Sequence, residues 1–184
     1  RNPALAATWK RLILEAQAAV SDRSQQIEAV RKAFYQGFVA EAIDQFCRTQ
    51  EVMDTSGERN RGVLTGEDMA RWSATYEEPV TLDYHGHTAC KCGPWSQGPV
   101  QLQTLALLRE MDLAGMPHDS ADFVHTVTES LKLSMADREA YYGDPDFVKV
   151  PLDELLSEDY NRERRKLIGP EVSLELCPGI LPGW

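Results

Sequence analysis

Long apolar runs are absent from this sequence, and so is any excess of positive charge. No uninterrupted apolar stretch approaches the ~20 residues of a membrane-crossing helix, and no charged-then-apolar opening resembles a secretory leader. Lysine and arginine number 19 against 29 acidic residues, a formal charge of −10. The longest basic cluster runs only from Arg162 to Lys166. Neutralising a phosphate backbone needs lysine and arginine in excess on one face, so this balance argues against a nucleic-acid partner or an anionic membrane surface. The four cysteines, Cys47, Cys90, Cys92 and Cys177, are too scattered for a disulfide framework, and reduced thiols are expected. A glycine-rich phosphate loop, a G-x-S-x-G elbow and an H-E-x-x-H pair are all missing, which removes the chemistries those motifs carry. The first residue is Arg1 and not methionine, so the sequence is expected to be a piece of a longer one.

What is there is ordinary globular text: 184 residues, 42% hydrophobic and 26% charged, enough for one sizeable core. Leu5, Trp9, Leu12, Ile13 and Ala16 recur at helical spacing after Pro3, and predict an amphipathic helix to Val20. Ser24 suits the cap of a second helix through Ile27, Val30 and Phe34, which Gly37 ends or kinks. Phe38, Ala42, Ile43 and Phe46 restart the period, and residues 54–62 read as a polar loop. Thr65 with Asp68 forms a capping-box pattern ahead of Met69, Ala70 and Trp72. The period then changes to two. Pro79 to Tyr84 and His87 to Cys92 predict a β-hairpin turning at His85-Gly86. Gly93 to Pro99 excludes regular structure and opens onto an apolar helix from Val100 to Leu108. Asp119 or Ser120 caps a long helix that Tyr141-Tyr142-Gly143-Asp144-Pro145 stops. Ser157 caps a charged helix to about Ile168, whose face Arg162, Glu163, Arg164, Arg165 is expected to be solvated. The expected class is α+β, mainly helical, with a hairpin that must join a larger sheet because a lone hairpin is marginal. Residues 1–168 read as part of a single domain and 169–184 as an extended or unordered tail.

The chemistry-bearing residues are few. His85, His87, Cys90 and Cys92 offer a metal-ligand palette, but lack the C-x2-C or H-x3-H spacing that converges ligands, and on one strand the two pairs face opposite sides. Strand packing is therefore expected there, with no metal and no cofactor. His118 reads as a turn or capping residue, and His125 as a helix-surface partner of Glu129 one turn on. Asp137, Arg138, Tyr142, Gly143 and Asp144 read as a structural corner at a helix end. Ser96 is the one hydroxyl in a suggestive loop.

Several segments resemble the γ-glutamyltranspeptidase family, in matching order. Phe34-Tyr35-Gln36-Gly37 before a small-residue helix resembles its Phe-Tyr-x-Gly. Gly62-Val63-Leu64-Thr65-Gly66-Glu67-Asp68-Met69-Ala70 resembles its Gly-x-Leu-Thr-x-x-Asp-Leu-Ala, and Pro79-Val80 through Tyr84-His85-Gly86 its Pro-Val-x-x-x-Tyr-x-Gly strand. Pro94-Trp95-Ser96-Gln97-Gly98-Pro99 is similar to its Pro-x-Ser-Gln-Gly-Pro, and Ala136-Asp137-Arg138-Glu139-Ala140-Tyr141-Tyr142-Gly143-Asp144-Pro145 to its Ala-Asp-Arg-x-x-Tyr-x-Gly-Asp-Pro.

The resemblance implies the C-terminal part of the large subunit of an N-terminal-nucleophile (Ntn) hydrolase, with an αββα fold that other segments complete. Such an enzyme is made as a zymogen that cuts itself into a heterodimer. The nucleophilic threonine then heads the small subunit, so no catalytic residue is expected in this chain. The active-site wall is expected at Trp95, Ser96, Gln97 and Gly98, and residues 169–184 lead toward the processing point. Implied partners are the small subunit from the same precursor and a γ-glutamyl or related acyl amide, and a higher oligomer is compatible with the pattern. The Gln97-Gly98-Pro99 variant is closer to the acylase-like or hydrolase-like branch, so a cephalosporin or glutaryl acylase, or an amidohydrolase acting on a small acid amide, is the alternative enzyme. A helical interaction module docking through Trp9, Trp72 and Trp95 is the alternative of another class. A cytoplasmic location is favoured over a periplasmic or secreted one.

Overall fold

Asn2 and Pro3 start the first helix as their chemistry dictates. The Asn2 side chain accepts from the Leu5 N–H, and Pro3 occupies a first-turn position whose missing N–H has no intrahelical partner to lose. The computed structural model describes residues 1–184, and the chain folds as two compact units, Arg1–Thr75 and Tyr76–Trp184.

The first unit holds helices α1 (Pro3–Ala19), α2 (Arg23–Tyr35), α3 (Phe38–Thr49) and α4 (Gly66–Arg71), with a short antiparallel pair, β1 (Glu51–Met53) and β2 (Arg59–Arg61). Asp22, not Ser24, caps α2: its carboxylate accepts from the Gln25 N–H, so the helix starts one residue before Ser24. The expected loop over 54–62 is a hairpin at its ends, its tip gathered by Asp54, which accepts from Ser56 and Asn60. Gly37 separates α2 from α3 because a Cβ there would lie 2.9 Å from the Ala33 carbonyl oxygen. Thr65 and Asp68 close the capping box on α4, whereas Trp72 falls just past the helix as its C-cap. Only Leu12, Ala16, Ala40 and Met69 of this unit's apolar residues are buried. Its cohesion comes largely from rings: Trp9 stacks on Phe34 at 6.1 Å, and Tyr35 on Trp72 at 5.2 Å.

The second unit opens with the hairpin β3 (Val80–Tyr84) and β4 (His87–Lys91), in the register Tyr84↔His87 to Val80↔Lys91. His85 and Gly86 both take positive φ, 47° and 79°, the signature of the type I′ turn that matches strand twist. His85 thus belongs to the turn rather than to a strand face, Cys90 is exposed, and no cluster with metal-holding geometry is present. Leu82 packs on Leu102 and Ala106 of α5 (Gly98–Leu108), with Val80, Ala89, Leu105 and Leu156 around them.

Helix α5 lies against α6 (Ala121–Tyr141), which Ser120 caps through the Phe123 N–H. Both helices bury polar side chains as well as apolar ones. Thr104, Ser130 and Ser134 are buried, yet each hydroxyl donates to the carbonyl four residues earlier, and the Thr104 and Ser134 hydroxyl oxygens lie 3.0 Å apart. The short α7 (Leu152–Leu155) and α8 (Glu158–Arg165) follow, α8 capped by Ser157.

On the charged face of α8, Arg162 and Glu163 are exposed as expected, but Arg164 and Arg165 turn inward, which corrects the expectation for those two. Arg164 is buried, and Arg165 donates to the carbonyls of Leu107 and Ala106, both at 2.8 Å, closing the end of α5. Those carbonyls are among the orphan acceptors of a helix C-terminus, and a guanidinium fork fits two at once.

Residues 169–184 adopt no helix or strand but are tied down along their length. His125 bonds the Gly169 carbonyl at 2.7 Å, and Lys132 donates to the Ser173 carbonyl. Glu129 pairs with Lys132 rather than with His125 and also accepts from the Ser173 N–H. The Lys132 hydrogen bond holds the buried Glu129 carboxyl below its ordinary value of 4.5, with the Ser173 N–H and nearby positive charge adding to it.

A depressed carboxylate stabilises the fold above its unfolded pKa and loses that contribution as pH falls through the folded one. Glu129→Gln is therefore expected to lower stability near neutrality, with the difference from the parent closing below the ordinary value of 4.5, as read by urea denaturation across pH. Leu102→Ala, which empties the fully buried centre of the hairpin–α5 contact, is expected to cost roughly 2–5 kcal/mol in the same assay.

Candidate functional site

The loop between β4 and α5 is built on glycine and serine. A Cβ on Gly98 would fall 2.6 Å from the Cys92 carbonyl oxygen, so only glycine lets the helix start this close to the strand end. Pro99 sits in the first turn of α5. Ser96 Oγ donates to the Gly93 carbonyl at 2.9 Å and accepts from the Gly98 N–H at 3.0 Å. Its hydroxyl hydrogen is committed to the loop, no basic group is bonded to it, and it therefore lacks the partner an activated nucleophile requires. Trp95 projects outward, 57% exposed, with its indole N–H fixed on Glu77 Oε2 at 2.7 Å. Gln97 is exposed and makes no side-chain cap for α5.

Against this loop stands the end of α6. Tyr142 is its C-cap, and Gly143 turns the chain where a Cβ would strike Val148 at 2.6 Å. Asp144 then folds the next turn, its carboxylate accepting from Asp146 and its carbonyl from Phe147 and Val148. Loop and helix end together enclose an open cavity of about 470 Å³ lined by Pro94 to Gln97 and by Arg138, Glu139, Tyr142, Gly143 and Asp144. Two segments that the sequence suggested for different reasons thus meet on one cavity. Gly98 lies behind the wall, and Asp137, on the other side of α6, does not line the cavity.

The chemistry on offer is one guanidinium, two carboxylates, a fixed indole edge and a phenol. Arg138 pairs with Glu139 at 2.6 Å and is a third exposed. The Tyr142 hydroxyl is buried with no hydrogen-bond partner. Burial, reinforced by the nearby Asp137 charge, pushes its pKa up, so it stays a neutral donor. The cavity holds no thiol and no imidazole, and its serine is committed, so these walls can orient a ligand but do not supply an attacking group.

Asp137 does not face the cavity, and its partners are ones that sequence reading did not identify. Its carboxylate is wholly buried and fully used: Oδ2 accepts from Gln103 Nε2 at 2.6 Å, and Oδ1 from Arg164 at 3.1 Å and from the Gly179 N–H at 2.7 Å. The partners come from α5, α8 and the tail, so no local pattern in the chain could show them.

Sequence comparison agrees with the motifs. Residues 1–177 match the family model described as Gamma-glutamyltranspeptidase. The chain belongs to the gamma-glutamyltranspeptidase family. Within that family it is 36% identical over 152 residues to the glutathione hydrolase proenzyme of Escherichia coli strain K12, covering 80% of this chain and 24% of that protein. To the acylase ACY 1 proenzyme of Pseudomonas sp. strain SE83 it is 34% identical over 125 residues, covering 67% of this chain and 22% of that one. Among solved structures, LmbA2991HD superposes with a TM-score of 0.81 at 57% identity over 97% of this chain and 30% of its own. The Helicobacter pylori gamma-glutamyltranspeptidase superposes with a TM-score of 0.66 at 27% identity over 86% and 45%. The chain thus spans about a quarter of the length of these gamma-glutamyltranspeptidase-family proenzymes.

An unpaired buried hydroxyl costs its desolvation without return, so Tyr142→Phe is expected to leave stability unchanged or raise it by up to about 1 kcal/mol. Thermal denaturation of the full-length protein reads this directly; a loss of stability would show that the hydroxyl has a partner.

Proposed function

We propose that this chain is the C-terminal part of the large subunit of a self-cleaving Ntn amidohydrolase, which removes an acyl group from an amide. The observation that carries the reading is the cavity between the Pro94–Gln97 loop and the Arg138–Asp144 corner, made from two family motifs and lacking a nucleophile of its own. Such a half-site suits an enzyme whose attacking group arrives from elsewhere. The proenzyme relatives support a precursor that is cut. The nucleophile is then the threonine heading the small subunit, its own α-amine taking the hydroxyl proton as the oxygen adds to the amide carbonyl. The amine leaves, an acyl ester remains, and water or an acceptor amine resolves it.

On this reading Trp95, Ser96, Gln97 and Gly98 form the wall and its support, and Asp137, Arg138, Tyr142, Gly143 and Asp144 shape the corner facing it. Residues 169–184 run toward the processing point. The β3–β4 hairpin, a two-stranded sheet with both edges unpaired, joins the larger sheet of the αββα fold. The exposed apolar residues of α1, among them Leu5, Trp9 and Ile13, are covered by the rest of the polypeptide.

A γ-glutamyl amide is the leading substrate class. A glutaryl or cephalosporin-type amide is the second, favoured by Gln97-Gly98-Pro99 and by the acylase among the relatives. A panel of γ-glutamyl and glutaryl anilides, assayed on the two-subunit protein, separates them. Release from the γ-glutamyl anilide is expected; release from the glutaryl compound alone would transfer the assignment to the acylases. Trp95→Ala is expected to raise KM by roughly threefold to tenfold through lost contact area, with self-cleavage intact.

A further inference from the structure

The buried centre of the second unit holds a backbone segment, not a ligand. The Asp137 carboxylate accepts from the Gly179 N–H, and Arg164, held on Asp137, donates to the Cys177 carbonyl. Tyr141 Oη donates to the Gly179 carbonyl at 2.6 Å and accepts from the Leu181 N–H at 3.2 Å. Leu181 is buried, and Lys149 lies over the Trp184 ring at 4.8 Å. Upstream, His125 and Lys132 fix Gly169 and Ser173. An extended segment with no helix or strand of its own is thus held by side chains bonded to backbone groups of Gly169, Ser173, Cys177, Gly179 and Leu181.

This clamp admits one register. A slip in one direction would bring Pro178 to Asp137, and proline has no N–H to give. A slip in the other would bring Ile180 there, where a Cβ has no room: at Gly179 it would collide with the Tyr160 hydroxyl oxygen. A buried ion pair seldom adds net stability over an apolar substitute, and its best-attested use is to fix registry.

We propose that Asp137, Arg164, Tyr141 and Gly179 are positioning residues for precursor self-cleavage, fixing the register of residues 177–181 so that the chain beyond them presents its scissile bond. The proposal rests on the reading above that residues 169–184 lead to the processing point. In that step the threonine hydroxyl oxygen bonds to the carbonyl carbon of the residue before it while the peptide C–N bond breaks. The hydroxyl proton ends on the freed α-amine, and water then splits the ester into a carboxylic acid and the regenerated hydroxyl. Such an attack is steeply sensitive to placement, so a sub-ångström shift of the strap suffices to slow it.

The test is the rate of self-cleavage of the full-length precursor, followed by gel electrophoresis, with thermal stability measured alongside. Gly179→Ala is expected to slow cleavage by roughly tenfold or more. Tyr141→Phe, which removes only the bridging hydroxyl and keeps the ring, is expected to slow it by about threefold and stays readable if Gly179→Ala fails to fold. Leu155→Ala, a core truncation away from the strap, lowers stability and is expected to cleave at the parent rate. Parent-like rates in Tyr141→Phe and in any folded Gly179→Ala would overturn the proposal, as would slowing that Leu155→Ala reproduces at an equal loss of stability. A parent precursor that never cleaves would instead overturn the processing reading, and the proposal with it.

Discussion

The second unit depends on one buried carboxylate. Removing Asp137 from water carries a desolvation penalty of several kcal/mol, and the fold offsets it only because every contact is in place at once: Gln103 from α5, Arg164 from α8 and the Gly179 N–H from the tail. Helices α5, α6 and α8 and residues 177–181 therefore share a single electrostatic centre. Arg164 in turn is held inside the protein through its Nη2, which faces Asp137 and the carbonyls of Leu133 and Cys177, while its Nε is buried without a partner. Around this centre the packing is small and polar, with Thr104, Ser130 and Ser134 each satisfied by the helix that carries them, and the hydrophobic cluster at Leu82, Leu102 and Ala106 lies to one side.

The cavity follows from that arrangement. With Asp137 buried, Arg138 beside it and Tyr142 and Gly143 just past the end of α6 line the cavity with the Pro94–Gln97 loop. Gly98 and Pro99 hold the loop against β4, and the Trp95 indole is pinned by Glu77. These walls supply no attacking group of their own, which fits the proposed reading, in which one chain shapes the site and another attacks. Residues 1–177 belong to the gamma-glutamyltranspeptidase family, and the chain spans about a quarter of the matched proenzymes.

Features written in neighbouring residues were legible. The caps at Thr65, Ser120 and Ser157, the His85-Gly86 turn and the stop of α6 at Tyr142 each depend on a few adjacent side chains. Features made by distant residues were not. Arg164 and Arg165 sit in a run of charge that reads as solvated, and only the approach of α6, the end of α5 and the tail makes burial favourable. The β1–β2 ladder is too short and too polar to show a period of two. Ser24 and Asp22 are both good caps, and the choice fell to the residue that reaches Gln25. Pro94–Gln97 and Arg138–Asp144 could each be marked from sequence, but that they face one another is a tertiary fact.

The central claim, that Asp137 and Arg164 act as one unit at the heart of the fold, is tested most directly by a double-mutant cycle. Asp137→Asn, Arg164→Gln and the double substitution are compared in the full-length protein by urea denaturation. The account expects each single change to cost roughly 3–5 kcal/mol by leaving its partner buried and uncompensated. It expects the double to cost less than their sum by about 1.5 kcal/mol or more. Additive losses would show that the two charges do not depend on one another and would contradict it.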